Sequence, residues 1–309
     1  MMMKDAGNNR RLFLKKTTAL SMAVMAGQVQ ADEGQQSTLP QVSLGSYKIT
    51  RLIVGSNPML GYSHLTGLVS QMMSDYFTVD RMVEFMLTCE KSGINTIQSS
   101  YSDKMNEALL KYREQGGQMH WILLANQELS NHPGMQEILR RHKPIAVAHH
   151  GWVTDKLYRS GDLQPCVDFI KWMKDEGVLA GISTHNPVIL RHIEKQNWDH
   201  DFTMASFHYV TRTRDEIREK LGTVPVLANE TYLPEDPVEM SQAVRESGKP
   251  TLVYKILAAG RYCRNAKEVE GRFKFAFENI KATDAVIVGM FPQFSDQIAD
   301  NVKFTRQYA

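Results

Sequence analysis

Short apolar runs along this 309-residue chain repeatedly end on side chains able to carry chemistry. In order these are Asn57, Gln98, Asn126, the pair His149-His150, His185, His208, Glu230 and Lys255. Imidazole exchanges protons near neutral pH, and a carboxylate can serve as its partner. A lysine amine, once desolvated, acts as a base or as a Schiff-base nucleophile. Adjacent histidines closing an apolar run are hard to explain by packing, so His149 and His150 read as catalytic residues together with Lys255. Asn57, Asn126, His185, His208 and Glu230 read as substrate contacts, although amides at such places also satisfy loose backbone groups. A divalent metal is the alternative use of His150, His185, His208 and Glu230, since imidazole plus carboxylate suits zinc or manganese. No His-x-His or His-Glu-x-x-His spacing accompanies them.

Something has to bring these side chains together, and the pattern between them says what. Apolar runs occupy 49–54, 96–98, 121–125, 145–148, 179–182, 202–206, 252–254 and 285–288. Most are too short for buried helices, and several are rich in Val, Ile or Ala, as strands of a buried parallel sheet are. Amphipathic segments separate them. Residues 79–92 set Met82, Val83, Phe85, Met86 and Cys89 on one arc, and 166–176 and 237–247 repeat the pattern. Gly93, Gly177 and Gly248 follow these segments as helix-ending glycines do. Eight such alternations over about 260 residues match a (β/α)8 TIM barrel, an α/β fold whose chemistry lies on the loops after the strands. An open doubly wound sheet is the rival, but Gly55-Ser56-Asn57-Pro58 follows the first strand in place of Gly-x-Gly-x-x-Gly. A ninth run at 225–229, leading into Glu230, reads as an extension of the sixth βα loop or the start of a strand.

The N-terminus carries a different kind of signal. Asn9-Arg10-Arg11-Leu12-Phe13-Leu14-Lys15 is followed by a mildly apolar run over 17–27 and by Val29-Gln30-Ala31, a small-residue cleavage pattern. The arginine pair with Phe-Leu-Lys resembles the twin-arginine export signal of bacteria. That resemblance implies folding before export, the twin-arginine machinery as a partner, and a periplasmic or otherwise exported location. The expected organisation is a signal peptide over 1–31, a flexible Gln-, Ser- and Gly-rich lead-in over 32–46, and a barrel domain over 47–309.

Charge and cysteine usage narrow the partners. The formal charge is +2, and 1–31 holds five basic residues and Asp5, a net +4, which leaves the rest at −2. Nucleic acid and anionic membrane are therefore not expected partners. After Ala31 no apolar run approaches the ~20 residues of a membrane span, so no stable anchoring is expected once the signal is cleaved. Cys89, Cys166 and Cys263 are sparse, odd in number and without a Cys-x-x-Cys spacing, which suggests neither a disulfide framework nor a cysteine zinc site.

Several segments also resemble one family. Gly93-Ile94-Asn95-Thr96-Ile97-Gln98-Ser99-Ser100 is similar to the second-strand segment of aldo/keto reductases, where Gly-Ile-Asn leads a strand ending in Asp-Thr-Ala. Ile145-Ala146-Val147-Ala148-His149-His150 resembles their fourth strand with its active-site histidine, and Gly181-Ile182-Ser183-Thr184-His185 their Gly-hydrophobic-Ser-Asn turn. Residues 253–261 resemble their seventh strand and glycine loop, and 285–290 with Ile298-Ala299-Asp300-Asn301 their closing strand and helix. The likeness runs in the family's order from about residue 48 to 305. It implies an aldo/keto reductase-like barrel and hydride transfer between NAD(P) and a carbonyl substrate. It also implies cofactor contacts at Ser183, at Tyr254 stacking on the nicotinamide ring, in the glycine loop at Gly260 and Arg261, and at Asn301. Arg261 and Arg264 could equally hold an anionic substrate.

The family's proton donor is a tyrosine tuned by lysine, aspartate and histidine, and here the chain departs. Gln98 occupies the aspartate position and Asp103 the tyrosine position, with Tyr101 two residues before it. Asn126 or Gln127 stands for the lysine, and only the histidine has a counterpart, in His149 or His150. Gln98 and Tyr101 thereby join the catalytic candidates. The family's phosphate-binding Lys and Arg correspond to Met290 and Gln297, so a 2′-phosphate would meet little positive charge. Three functions stay open: an exported oxidoreductase acting on a sugar-like or small carbonyl substrate, a nicotinamide-independent lyase, isomerase or hydrolase built on Lys255 and the His/Glu group, and a non-catalytic binding barrel.

Overall fold

Gln41–Leu44 (β1) and Tyr47–Thr50 (β2) pair antiparallel before the barrel begins, in the register Val42↔Ile49 and Leu44↔Tyr47. In this computed structural model, which describes residues 38–126, 129, 134–225 and 230–309, eight parallel strands then follow. They are β3 (Leu52–Gly55), β4 (Thr96–Ser100), β5 (His120–Ala125), β6 (Ala146–His149), β7 (Leu179–Thr184), β8 (Phe202–Ser206), β9 (Thr251–Tyr254) and β10 (Ala285–Gly289). Each pairs with its neighbour in sequence, and β10 returns to β3 in the register Val286↔Leu52 and Val288↔Val54, closing an α/β (β/α)8 barrel. All eight strands fall on the apolar runs of the sequence. The run over 49–54 divides at Arg51, with Ile49 in the hairpin and Leu52 opening the barrel. Residues 226–229 of the ninth run, like 1–37 with the arginine pair, lie outside the described residues.

Alternation along the strands sorts the apolar residues into two layers. Ile53, Ile122, Ala146, Ala148, Phe202, Met204, Leu252 and Ile287 fill the barrel, and Val42, Leu44 and Ile49 of the hairpin pack with them. The hairpin therefore plugs the end at which the strands start. Gln41–Leu44 belongs to this plug, although composition assigns it to a flexible lead-in, because alternate Val42 and Leu44 bury while Gln41 and Ser43 stay exposed. Asn95 ties the plug down, accepting from the Thr50 N–H at 2.8 Å and donating to the Lys48 carbonyl at 2.9 Å. That contact gives the Gly93-Ile94-Asn95 segment a structural use.

The outer layer joins sheet to helices. Val54, Ile97, Trp121, Val147, Ile182 and Val253 face it from the strands. Met82, Phe85, Met86 and Cys89 of the helix Val79–Lys91 meet it, as do Cys166, Phe169, Ile170 and Met173 of the helix Gln164–Asp175. Among the described residues no helix is long and apolar enough to cross a membrane.

Inside the barrel, Gly181 of β7 stands where the Phe202 ring needs space. A Cβ added there would lie 2.2 Å from the ring, and both residues sit in regular strands that cannot easily part. Gly181→Ala is expected to destabilise the protein by ~1–3 kcal/mol. Urea unfolding measures this, and an unchanged midpoint would show that the ring can move aside.

Candidate active site

The same alternation decides which strand-end residues reach the barrel mouth. On β6 the inward residues are Ala146 and Ala148, so His149 points outward. Its Nδ1 lies 2.8 Å from Thr154 Oγ1, and its ring centroid 5.2 Å from that of Phe169. His149 is thus a wall residue between sheet and helices, away from the mouth where the sequence reading puts it. Burial, with some repulsion from His150, pushes its imidazole down to about 4. Tyr101 also lies apart, its ring packed on the outer layer and 6.4 Å from that of His142.

His150, one residue on, caps the helix Gly151–Ser160, its Nδ1 accepting from the Trp152 N–H at 3.2 Å. Burial and then the nearby His185 and Lys255 charges push it down to about 4, against an upward pull from Asp155. His185 belongs to a buried polar knot on Asp155. That carboxylate accepts from Thr184 Oγ1 at 2.5 Å, Thr211 Oγ1 at 2.7 Å and the His185 N–H at 3.2 Å, and it lies 3.1 Å from His185 Nδ1. With a carboxylate on Nδ1, the ring carries its proton there and is fixed in orientation. It meets the Tyr254 ring edge-on, with centroids 5.5 Å apart at 81°. Gly151 permits this, since a Cβ would come within 2.9 Å of His185 Cε1.

A second polar group gathers on the β3, β9 side. Lys255 Nζ lies 3.2 Å from His64 Nε2, and His64 Nδ1 lies 2.9 Å from Glu230 Oε1. Asn57 Nδ2 donates to His64 Nε2 at 2.9 Å, and Tyr232 donates its hydroxyl to Glu230 Oε2 at 2.6 Å. Burial drives the Lys255 amine down to about 8, with Glu230 opposing and Arg261 assisting. For Glu230, burial acts upward but is outweighed by His64, Lys255 and Tyr232, which hold the carboxyl at about 2. Lys255 and His64 both adopt left-handed backbone, with φ of +59° and +54°. Non-glycine residues rarely do so, and such positions concentrate at functional sites.

Asn57, His64, Gln98, Tyr254 and Lys255 line a cavity of about 550 Å³ that extends to Gly260, Arg264 and Asn301. The Tyr254 hydroxyl lies 3.1 Å from Ser183 Oγ, and burial raises its pKa. Arg261 turns away from the cavity. It donates to the His64 carbonyl at 3.0 Å and lies 3.8 Å from the centre of the Tyr232 ring. Arg264 is exposed and paired with Glu268 at 2.7 Å. On the closing side Met290 is core, Gln297 Oε1 accepts from the Phe291 N–H at 2.8 Å, and Asp300 lines the cavity.

Other expected residues are placed elsewhere. His208 is fully buried, its ring 5.2 Å from that of Tyr232 and its Nδ1 3.8 Å from Asp236 Oδ2. Asn126 accepts from the Leu129 N–H at 3.0 Å. The set His150, His185, His208 and Glu230 is divided among separate partners, and among the described residues no group of three His, Cys, Asp or Glu is arranged to hold a metal ion. His64, Asp155 and Tyr232 are the residues that sequence reasoning missed. Asp155 lies within a helix and His64 in a polar loop, and no spacing in the sequence links either to its partner.

No family model and no curated protein matches this chain. Solved structures do. A thermostable aldo-keto reductase aligns with a TM-score of 0.53 at 14% identity, covering 86% of this chain and 93% of that one. The glycerol dehydrogenase of Gluconobacter oxydans aligns at 0.50 with 10% identity, covering 87% and 96%. At such identities the likeness shows the fold alone, a closed (β/α)8 barrel.

The wall position of His149 has a consequence for acid stability. Its folded-state pKa of about 4 lies below the ordinary 6.5, so between those values only the unfolded chain takes up the proton. The stabilisation is complete above about pH 6.5 and is lost as pH falls toward 4. The stability difference between wild type and His149→Gln should therefore narrow over that interval in urea unfolding. A difference constant from pH 7 to 4 would contradict it.

Proposed function

We propose that this chain is an oxidoreductase that exchanges hydride between a nicotinamide cofactor and a sugar-like or small carbonyl compound. The observation that carries this reading is that Tyr254, Gly260 and Asn301, the positions the family resemblance assigns to cofactor, line one cavity with Lys255, His64 and Gln98. Its volume of about 550 Å³ falls in the range of small-molecule sites. Tyr254 would present a flat ring to the cofactor, and Gly260 and Asn301 would hold its remaining part. The cofactor supplies the hydride; the side chains supply orientation and the proton. Asp300 in the same cavity disfavours a 2′-phosphate, which makes NADH the preferred form. A second reading, base chemistry on a sugar or keto-sugar without nicotinamide, is favoured by one observation, the contact of Lys255 with His64. The arginine pair Arg10-Arg11 supports export of the folded protein by the twin-arginine pathway.

Titrating the protein with NADH, followed by nicotinamide fluorescence, tests the first reading. Saturable binding is expected, weaker by about tenfold in Tyr254→Ala and weaker again for NADPH. No binding of either nucleotide, together with turnover of a keto-sugar in their absence, would replace it with the second. Replacing Arg10 and Arg11 by Lys should leave the precursor in the cytoplasm, because recognition needs the guanidinium pair. Export of the Lys-Lys precursor at the wild-type level would remove the export proposal.

A further inference from the structure

We infer that Glu230, His64 and Lys255 form a proton relay, with Lys255 as the acid–base residue that faces the reacting oxygen in place of the family's tyrosine. The inference rests on the oxidoreductase reading for the identity of the reaction, though the relay's geometry stands apart from it. The contacts run in line, Oε1 to Nδ1 at 2.9 Å and Nε2 to Nζ at 3.2 Å, and end at an amine lining the cavity. Glu230 is held at its other oxygen by the Tyr232 hydroxyl, whose ring is stacked by Arg261. Arg261 also holds the His64 carbonyl, so one guanidinium fixes His64 and the tyrosine that holds Glu230. Asn57 Nδ2 meets the same His64 nitrogen as Lys255, so Nε2 faces both groups while Nδ1 is held by Glu230. The charges facing Lys255 come from the loop after β3 (His64), the loop after β6 (His150), the segment before the helix Asp236–Glu246 (Glu230) and the loop after β9 (Arg261).

In the direction of reduction, a bound NADH would supply hydride to the carbonyl carbon as the C=O π pair moves to oxygen. That oxygen takes a proton from the Lys255 ammonium, leaving a neutral amine and an alcohol. His64, reached by solvent, takes up a proton at Nε2, the nitrogen that otherwise accepts from Asn57, and returns it to the neutral Nζ, while Glu230 stabilises the transient imidazolium through Nδ1–H. Oxidation of an alcohol would run the same steps backward, with bound NAD as the hydride acceptor and neutral Lys255 taking the proton. The substrate class is therefore a hydroxyl or carbonyl compound small enough to share the cavity with a nicotinamide. Burial supplies the amine's readiness to part with its proton, lowering it to about 8.

Brief labelling of the full-length folded protein with acetic anhydride across pH 6 to 11, read by peptide mass spectrometry, tests the relay without needing a substrate. Lys255 should label with a midpoint near 8, against ~10.4 for exposed lysines. In Glu230→Gln the midpoint should fall further, by about one pH unit, because the carboxylate that favours the ammonium is gone. A Lys255 midpoint equal to that of exposed lysines would overturn the proposal, as would a midpoint unmoved in Glu230→Gln. Should Glu230→Gln fail to fold, the wild-type midpoint alone decides. Where D-glyceraldehyde is reduced with NADH, His64→Gln should lower kcat by at least ~100-fold with NADH affinity unchanged, and wild-type turnover by that variant would also overturn the relay. NADH binding, measured on the same samples, reports separately on the oxidoreductase reading.

Discussion

Closing the sheet between β3 and β10 constrains everything above it. Once Leu52–Gly55 pairs with Ala285–Gly289, each strand must send every second side chain into a space filled by its seven counterparts. Large residues such as Phe202 are then admitted only opposite small ones such as Gly181. The hairpin plug covers the other end of the barrel, and the interior between plug and mouth is mostly apolar. Toward the mouth the inward residues turn polar, with Gln98 midway along β4, Ser183 one residue before the end of β7 and Tyr254 closing β9. The mouth is thus the one place where chemistry does not compete with the core.

Two polar groups occupy that mouth, and their energetics differ. Asp155 is a buried carboxylate with four donors, so its charge is met on every side and its partners are immobilised. It serves as a fixed post that holds His185 against Tyr254. Lys255 is the opposite case, an amine that has lost water and gained one ring nitrogen, with its countercharge one residue removed. A buried amine short of countercharge parts with its proton readily. The two groups meet across Tyr254, one giving position and the other giving reactivity.

The strands were legible in the sequence because buried parallel strands are short, apolar and rich in branched residues, and eight of them in alternation admit few closures. Strand ends were legible for β6, β7 and β9, which His150, His185 and Lys255 follow closely, but β4 runs two residues past Gln98 to Ser100. Facing direction was not. His149 and His150 differ only in parity, and nothing in the run Ala146-Val147-Ala148 says which face is inner until the barrel closes. Asp155 and His64 could not be read at all, since their partners are 30 and 166 residues away. Such pairings are set by the fold rather than by spacing.

Lys255 shows how far a single backbone angle can revise that parity. Val253 faces the helices and Tyr254 the barrel, so an extended residue 255 would send its side chain back among the helices. The left-handed turn at Lys255 interrupts the alternation and lets Nζ reach His64 over the mouth. That conformation costs a non-glycine residue about 1–2 kcal/mol, and His64 carries a similar cost across the cavity. Glycine would relieve the strain at either place but would remove the amine or the imidazole. The strain therefore persists where the surrounding contacts, Arg261 on the His64 carbonyl and Glu230 on its ring, over-determine the geometry. Two strained residues held against each other by a partly buried carboxylate and one guanidinium are a costly arrangement for packing alone, and a purposeful one for moving a proton.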